Sequence, residues 1–476
     1  MSDKPFSILS LDGGGSWALL EAMALRDLFG DVPGPQILAQ FDLALGNSAG
    51  SLVLAGLIEG KTPGQIVAEF LDEKSRSAFY TPRLFIDRWL AGFGLDARYR
   101  TVARLEEIQR LLPARGKTPL AELAPPCRIV IPAFDYEGLR AVMFRSYDSP
   151  NGDSKATCQL AEAVHATSTA PVIYFDRPAT FGTPARRYWD GAVGGYNNPV
   201  MLGVIEARTL GERDVVALSI GTGMARRAPR WADPPPPTSL AAPESDPGFA
   251  NDTKKLASAI LDDPPDAASY DAHLMLGGNC EPGSPSHRVV RLNPVVQAQL
   301  SDGAWRIAGL TEAEFHQLSQ MEMDAAAQSD VLAIKTLGEK WLAGEVPNQG
   351  IRMNELLRVT IGEADYPAAK ARWEAVRSGV GHDAAPLAQS ERPARAEHEQ
   401  PRPAKQAAVE VLVDEVPRED KAQAKPAEAP VGALAKPKRT APAKRAKQQQ
   451  AKPVQPEPVE SSLTASANPG VTVSGT

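Results

Sequence analysis

Gly46-Asn47-Ser48-Ala49-Gly50 follows one apolar run, Phe41-Asp42-Leu43-Ala44-Leu45, and leads into another, Ser51 to Glu59. The first run has the length and composition of a buried strand and the second those of a helix, so the pentapeptide reads as the sharp turn between them. Small residues on both sides of Ser48 let the backbone fold tightly. They leave the serine hydroxyl at a helix N-terminus, where the dipole and unpaired amides favour negative charge. Ser48 is therefore a candidate nucleophile. In a chain with 38 glycines the same pattern also arises as a plain small-residue turn, so the assignment needs partners.

The first partner lies upstream. Phe6 to Leu11 reads as a buried strand, and Asp12-Gly13-Gly14-Gly15 carries it into a helix running from Leu19 to a stop at Gly30. Such a loop presents backbone amides to an anion. Gly13, Gly15 and Ala18 satisfy the GxGxxA pattern of a dinucleotide site, yet the next strand ends at Gly46 without an acidic residue to hold a ribose. The other use is an oxyanion hole, with amides of Gly13, Gly14, Gly15 and Ala49 facing the oxygen that turns negative when Ser48 attacks a carbonyl. Both loops close successive strands, so a parallel sheet would bring them to one carboxyl edge.

The chain has 476 residues, 43% of them hydrophobic, enough for a sizeable core. A net charge of -7 makes no whole-chain case for nucleic acid. Cys127, Cys158 and Cys280 lack metal-ligand spacing, which favours a reducing compartment and no metal site. Met1 to Pro5 leads straight into a strand, and the longest apolar run, Leu52 to Ile58, is far short of the ~20 residues that cross a bilayer. A cytoplasmic protein that meets membranes only peripherally is expected. The aromatic stretch Phe79 to Leu95 reads as a core or cap helix, or as an amphipathic lid.

Further strands are expected at Cys127 to Phe134 and Arg140 to Tyr147, at a segment ending in Tyr188-Trp189-Asp190-Gly191, and at Val215 to Ile220 and Arg288 to Asn293. Helical patterns occupy Ala161 to Ala170, Thr253 to Leu261, Glu312 to Ala327, Val331 to Leu342 and Tyr366 to Arg377, and a Pro-rich loop covers Arg226 to Pro247. This alternation predicts an α/β sandwich with a helical C-terminal portion, forming one domain over residues 5–377. Residues 382–476 are rich in Ala, Pro and Lys, and Lys436 to Lys447 is locally basic, so a disordered tail is expected there. It serves either as a solubilising extension or as an electrostatic anchor to lipid, nucleic acid or an acidic partner.

A serine nucleophile needs a base. A histidine triad in hydrolase order could use Ser48, Asp190 and either His273 or His287; a Ser-Asp dyad would let a carboxylate take the proton directly. Four segments then matter together: Leu9-Ser10-Leu11-Asp12-Gly13-Gly14-Gly15, Gly46-Asn47-Ser48-Ala49-Gly50, Ala166-Thr167-Ser168-Thr169-Ala170-Pro171, and Asp190-Gly191-Ala192 with Asn197-Asn198-Pro199. In order and spacing the chain resembles a patatin-like phospholipase, with Leu218 to Gly223 as a fifth, weaker match.

The resemblance implies a three-layer α/β/α fold and a lipid acyl hydrolase acting on a lipid substrate such as phospholipid. Ser48 would form the acyl-enzyme, Asp190 would be the base, and the Gly13 to Gly15 amides would hold the oxyanion. Gly46, Gly50 and Gly191 would support the motifs, and no calcium or other metal would be required. One departure is Trp17-Ala18 where the family's glycine loop usually continues as Arg-Gly. The rival expectation is a catalytically weak lipid-binding or assembly module working through its basic tail.

Overall fold

The computed structural model describes residues 4–79, 99–101, 104–171, 174–244, 247–248, 252, 255, 266–353 and 359–378. The predicted segments Phe79 to Leu95 and Thr253 to Leu261, and the tail at 382–476, lie wholly or almost wholly outside the described residues.

The strands are β1 (Phe6–Leu11), β2 (Leu43–Gly46), β3 (Arg128–Asp135), β4 (Arg140–Arg145), β5 (Ala179–Phe181), β6 (Arg186–Asp190), β7 (Val215–Ile220), β8 (Met224–Ala225) and β9 (Val289–Leu292). The main sheet runs β5-β6-β3-β2-β1-β7-β9, with β4 also paired to β3. Pairs around β1 are parallel, and β4, β5 and β6 add an antiparallel margin.

Side chains alternate between two cores, as the two-residue period of a strand requires. Leu9 and Leu11 of β1, with Val216, Leu218 and Ile220 of β7, join the larger core, where helices Leu19–Phe29, Ser48–Glu59 and Leu160–Thr167 pack. Ile8, Leu43, Leu45 and Ala217 face the other core, which is covered by helix Val200–Thr209 and by Ala272 and Leu276 at the end of the helix over Asp266–Met275. The strands are buried on both faces, hence their near-continuous apolar sequences. Helices on both sides of a parallel-rich sheet make the expected three-layer α/β fold, and Gln328–Leu342 and Tyr366–Arg377 supply its helical C-terminal part.

The register of β3 sets up the site. Val130 pairs with Leu45 of β2 and Arg145 of β4, while Ala133 pairs with Asp190 of β6 and Val142 of β4. A strand residue has only two edges, so β2 and β6 must share the edge opposite β4. They run toward each other along it and stop on either side of Ile131 and Pro132. Their ends carry Ser48 and Asp190.

Several boundaries differ from expectation. The predicted helix at Glu312 to Ala327 stops at Gln320, because the chain then turns to lie on the glycine loop: Ser16 N–H donates to Met323 O over 2.8 Å. Helix Pro63–Leu71 is an addition, started by a capping box between Thr62 and Gln65. Among the described residues, no helix is long and apolar enough to cross a membrane.

Candidate active site

Ser48 begins its helix directly after β2, with Asn47 as N-cap, and its φ is 47°. A non-glycine residue in this left-handed region costs on the order of 1–3 kcal/mol, a strain held here by surrounding contacts. Gly46 ends β2, and Gly50 N–H donates to Asp12 O at 3.0 Å, tying the elbow to the glycine loop. The loops are in contact: a Cβ on Gly13 would stand 2.8 Å from Asn47 Nδ2 and 3.0 Å from Ser48 Cβ. Only glycine fits there.

Asp190 closes β6 and is 1% exposed. Its Oδ1 accepts from Asn47 Nδ2 at 3.2 Å and from Ala192 N–H at 2.9 Å, and the nearby Ser48 side chain also favours the charged carboxylate. Burial pushes its pKa up to about 6, against the opposing pull of those hydrogen bonds and of the Arg104 charge. Gly191 lets this turn pass beside Asn47, since a Cβ would meet Asn47 Oδ1 at 2.3 Å.

Thr167, at the end of its helix, joins both sides. Its Oγ1 accepts from Ser48 N–H at 3.2 Å and donates to Asn47 Oδ1 at 3.0 Å. Asn47 thus has its carbonyl fixed by Thr167 and its amide aimed at Asp190. In the sequence, Asn47 and Thr167 stand out only as neighbours within the motifs. Their polar side chains inside small-residue stretches were the available signal.

Of the loop amides, Gly13 N–H is already committed to Asn197 O at 2.9 Å, unlike the expectation that it faces an oxyanion. Among the described residues, the Gly14, Gly15 and Ala49 amides donate to no protein acceptor. Gly15 and Ala49 line the same cleft as Ser48. Trp17 is buried, and its indole N–H donates to Glu322 O at 3.4 Å, so the departure from Arg-Gly secures the Glu322-Met323 segment over the loop.

The cleft is walled mainly by Leu52, Ile66, Phe70, Ile108 and Leu112. Arg104 stands near its catalytic end, bonded to Ser168 O and stacked 4.3 Å above the Phe175 ring. Among the described residues, no histidine lines the cleft. His273 is instead bonded to Asn279 O at 2.9 Å, and His165 is buried with its pKa pushed down to about 3. Among the described residues, no group of three or more His, Cys, Asp or Glu is placed to hold a metal ion.

Beneath the glycine loop, Arg291 grips the Asp12 carboxylate with both terminal nitrogens and reaches Ser219 Oγ at 2.7 Å. Both charges are buried. Arg291 could not have been paired with Asp12 by sequence reading, since 279 positions separate them.

The chain matches, over residues 9–204, the sequence model described as "Patatin-like phospholipase". It is 29% identical over 204 residues to a "cGAMP-activated phospholipase" of Pseudomonas aeruginosa (strain BWHPSA011 / Pa011), covering 43% of this chain and 57% of that one. A protein of the same description from Escherichia coli (strain TW11681) is 26% identical over 241 residues, 46% of this chain and 63% of the relative. "Patatin-like protein 2" of Arabidopsis thaliana is 27% identical over 223 residues, with coverage of 42% and 52%. The chain therefore spans between about half and two thirds of the length of these relatives.

Proposed function

We propose that this chain is a lipid acyl hydrolase in which Ser48 is the nucleophile and Asp190 the base. The observation that carries the reading is the serine elbow tied through Asn47 to a buried carboxylate whose pKa is raised to about 6, with Ser48 lining an apolar cleft. An ordinary exposed aspartate is too weak a base for a hydroxyl, and desolvation moves Asp190 toward the working range.

In the proposed reaction Ser48 Oγ attacks the ester carbonyl as its proton passes to Asp190. The Gly14, Gly15 and Ala49 amides take the oxyanion. Collapse expels the alcohol, which leaves with the proton from Asp190. Water then gives its proton to Asp190 and attacks the acyl-enzyme, and the fatty acid departs as Ser48 recovers a proton. The apolar walls suit a lipid acyl chain, and phospholipid is the proposed substrate, met at a membrane surface.

The test is fatty-acid release from phospholipid vesicles by wild type, Ser48→Ala and Asp190→Asn. Loss in both variants, with unchanged circular dichroism, supports the dyad. Retained function in a lipid-binding assay with no hydrolysis by wild type supports the binding module instead.

A further inference from the structure

Ser48, Leu52 and Gly56 recur every four residues on one helix and line one cleft. At ~1.5 Å of rise per residue, Gly56 lies about 12 Å beyond Ser48. The helix over Arg104–Leu111 forms another wall, with Arg104 near the catalytic end and Ile108, Leu111 and Leu112 also lining the cleft.

Lys61 and Glu69, which also line the cleft, form an ion pair with side chains 16% and 37% exposed. Gly56 is beside them: Lys61 N–H donates to Gly56 O at 3.0 Å, and a Cβ on Gly56 would lie 3.9 Å from Lys61 Cδ. The same Cβ would meet Ile66 Cδ1 at 2.9 Å. Gly56 has no positive φ to require glycine, and alanine is the better helix former at a helix interior. Ile66 packs closely where a Gly56 side chain would stand, at the place where the apolar wall gives way to the ion pair.

We propose that this cleft is an acyl-chain channel whose length limit is set by Gly56 and the Lys61–Glu69 pair. The proposal rests on reading Ser48 as the nucleophile. Carbon–carbon bonds of about 1.5 Å in a zigzag advance about 1.25 Å per carbon, so the distance from Ser48 to Gly56 accommodates roughly ten carbons. A longer chain must place methylenes against a charged pair and gains nothing from burial there.

The experiment measures kcat/KM for 1-acyl glycerophosphocholines from about six to about eighteen carbons, all in the same excess of detergent micelles. In wild type the rate should climb about fourfold per carbon at most and stop climbing near ten. Gly56→Leu should move that break about three carbons shorter. Lys61→Met combined with Glu69→Leu should move it longer, and hydrolysis of the shortest ester reports that each variant is folded.

A short fluorophosphonate probe, which does not need the channel, is applied in parallel. Labelling of Ser48 with a break that stays put in both variants overturns the channel and leaves the nucleophile standing. No labelling of Ser48 in wild type overturns both.

Discussion

Asn47 Nδ2 donates to Asp190 Oδ1 across 3.2 Å, joining two residues 143 positions apart. The same side chain receives Thr167 Oγ1, so the serine elbow and the aspartate are held by one amide. Asp190 is consequently fixed in direction and partly relieved of its desolvation. Each part of that arrangement has a measurable consequence.

The base must be ionised, so kcat/KM should rise with pH through an apparent pKa near 6, the raised value of Asp190. The Asn47 hydrogen bond favours the charged form. Asn47→Ala therefore moves the acid limb to higher pH, as a pH-rate profile would record. An unmoved or lowered limb would contradict this account of the carboxylate.

Burying Asp190 also costs stability. Its folded pKa lies above the unfolded value, so the penalty is absent below about pH 4, grows through pH 6 and is complete above that. The shift from 3.8 to about 6 corresponds to about 3 kcal/mol. Asp190→Asn should thus be inactive yet more stable than wild type at pH 8, with the gap closing near pH 4. Denaturant melts at the two pH values check both directions.

Thr167→Val removes the acceptor of the Ser48 amide and the donor to Asn47 while keeping the shape of the side chain. A loss of about 10–100-fold in kcat is expected from misplacement of the elbow, with about 1–3 kcal/mol of stability lost to unpaired buried groups. Thr167→Ser should recover most of the rate. Equal losses in the serine and valine variants would assign Thr167 to packing alone.

Arg291→Met leaves the buried Asp12 carboxylate without its partner and should destabilise the fold by about 3–5 kcal/mol. Burial outweighs the attraction of Arg291 and already lifts Asp12 to about 6. The double variant with Asp12→Leu should recover much of the loss, because no lone charge remains. Urea titration of the three proteins measures the coupling.

The fold was legible where local pattern dominates. Val215–Ile220 and Tyr366–Arg377 occur with the boundaries their sequences predict, one as a continuous apolar strand and the other as a helix started by Asp365 and Pro367. The three-residue β5 carries too little pattern to be read, and Pro63–Leu71 is too short to stand out although Thr62 and Gln65 announce its start. At the site, the glycine loop and the serine elbow are short-range motifs that sequence displays. The convergence of β2 and β6 on one edge of β3 depends on sheet register, which no local pattern encodes. For the same reason the commitment of Gly13 N–H to Asn197, and of Arg291 to Asp12, emerged only from the fold.

The most direct test of the central claim is fluorophosphonate labelling of the full chain, followed by mass mapping of the modified peptide, in wild type, Ser48→Ala and Asp190→Asn. The account predicts a single adduct on Ser48, absent from Ser48→Ala and formed much more slowly in Asp190→Asn. An adduct on another residue, or labelling of Ser48 at an unchanged rate without the Asp190 carboxylate, would contradict it.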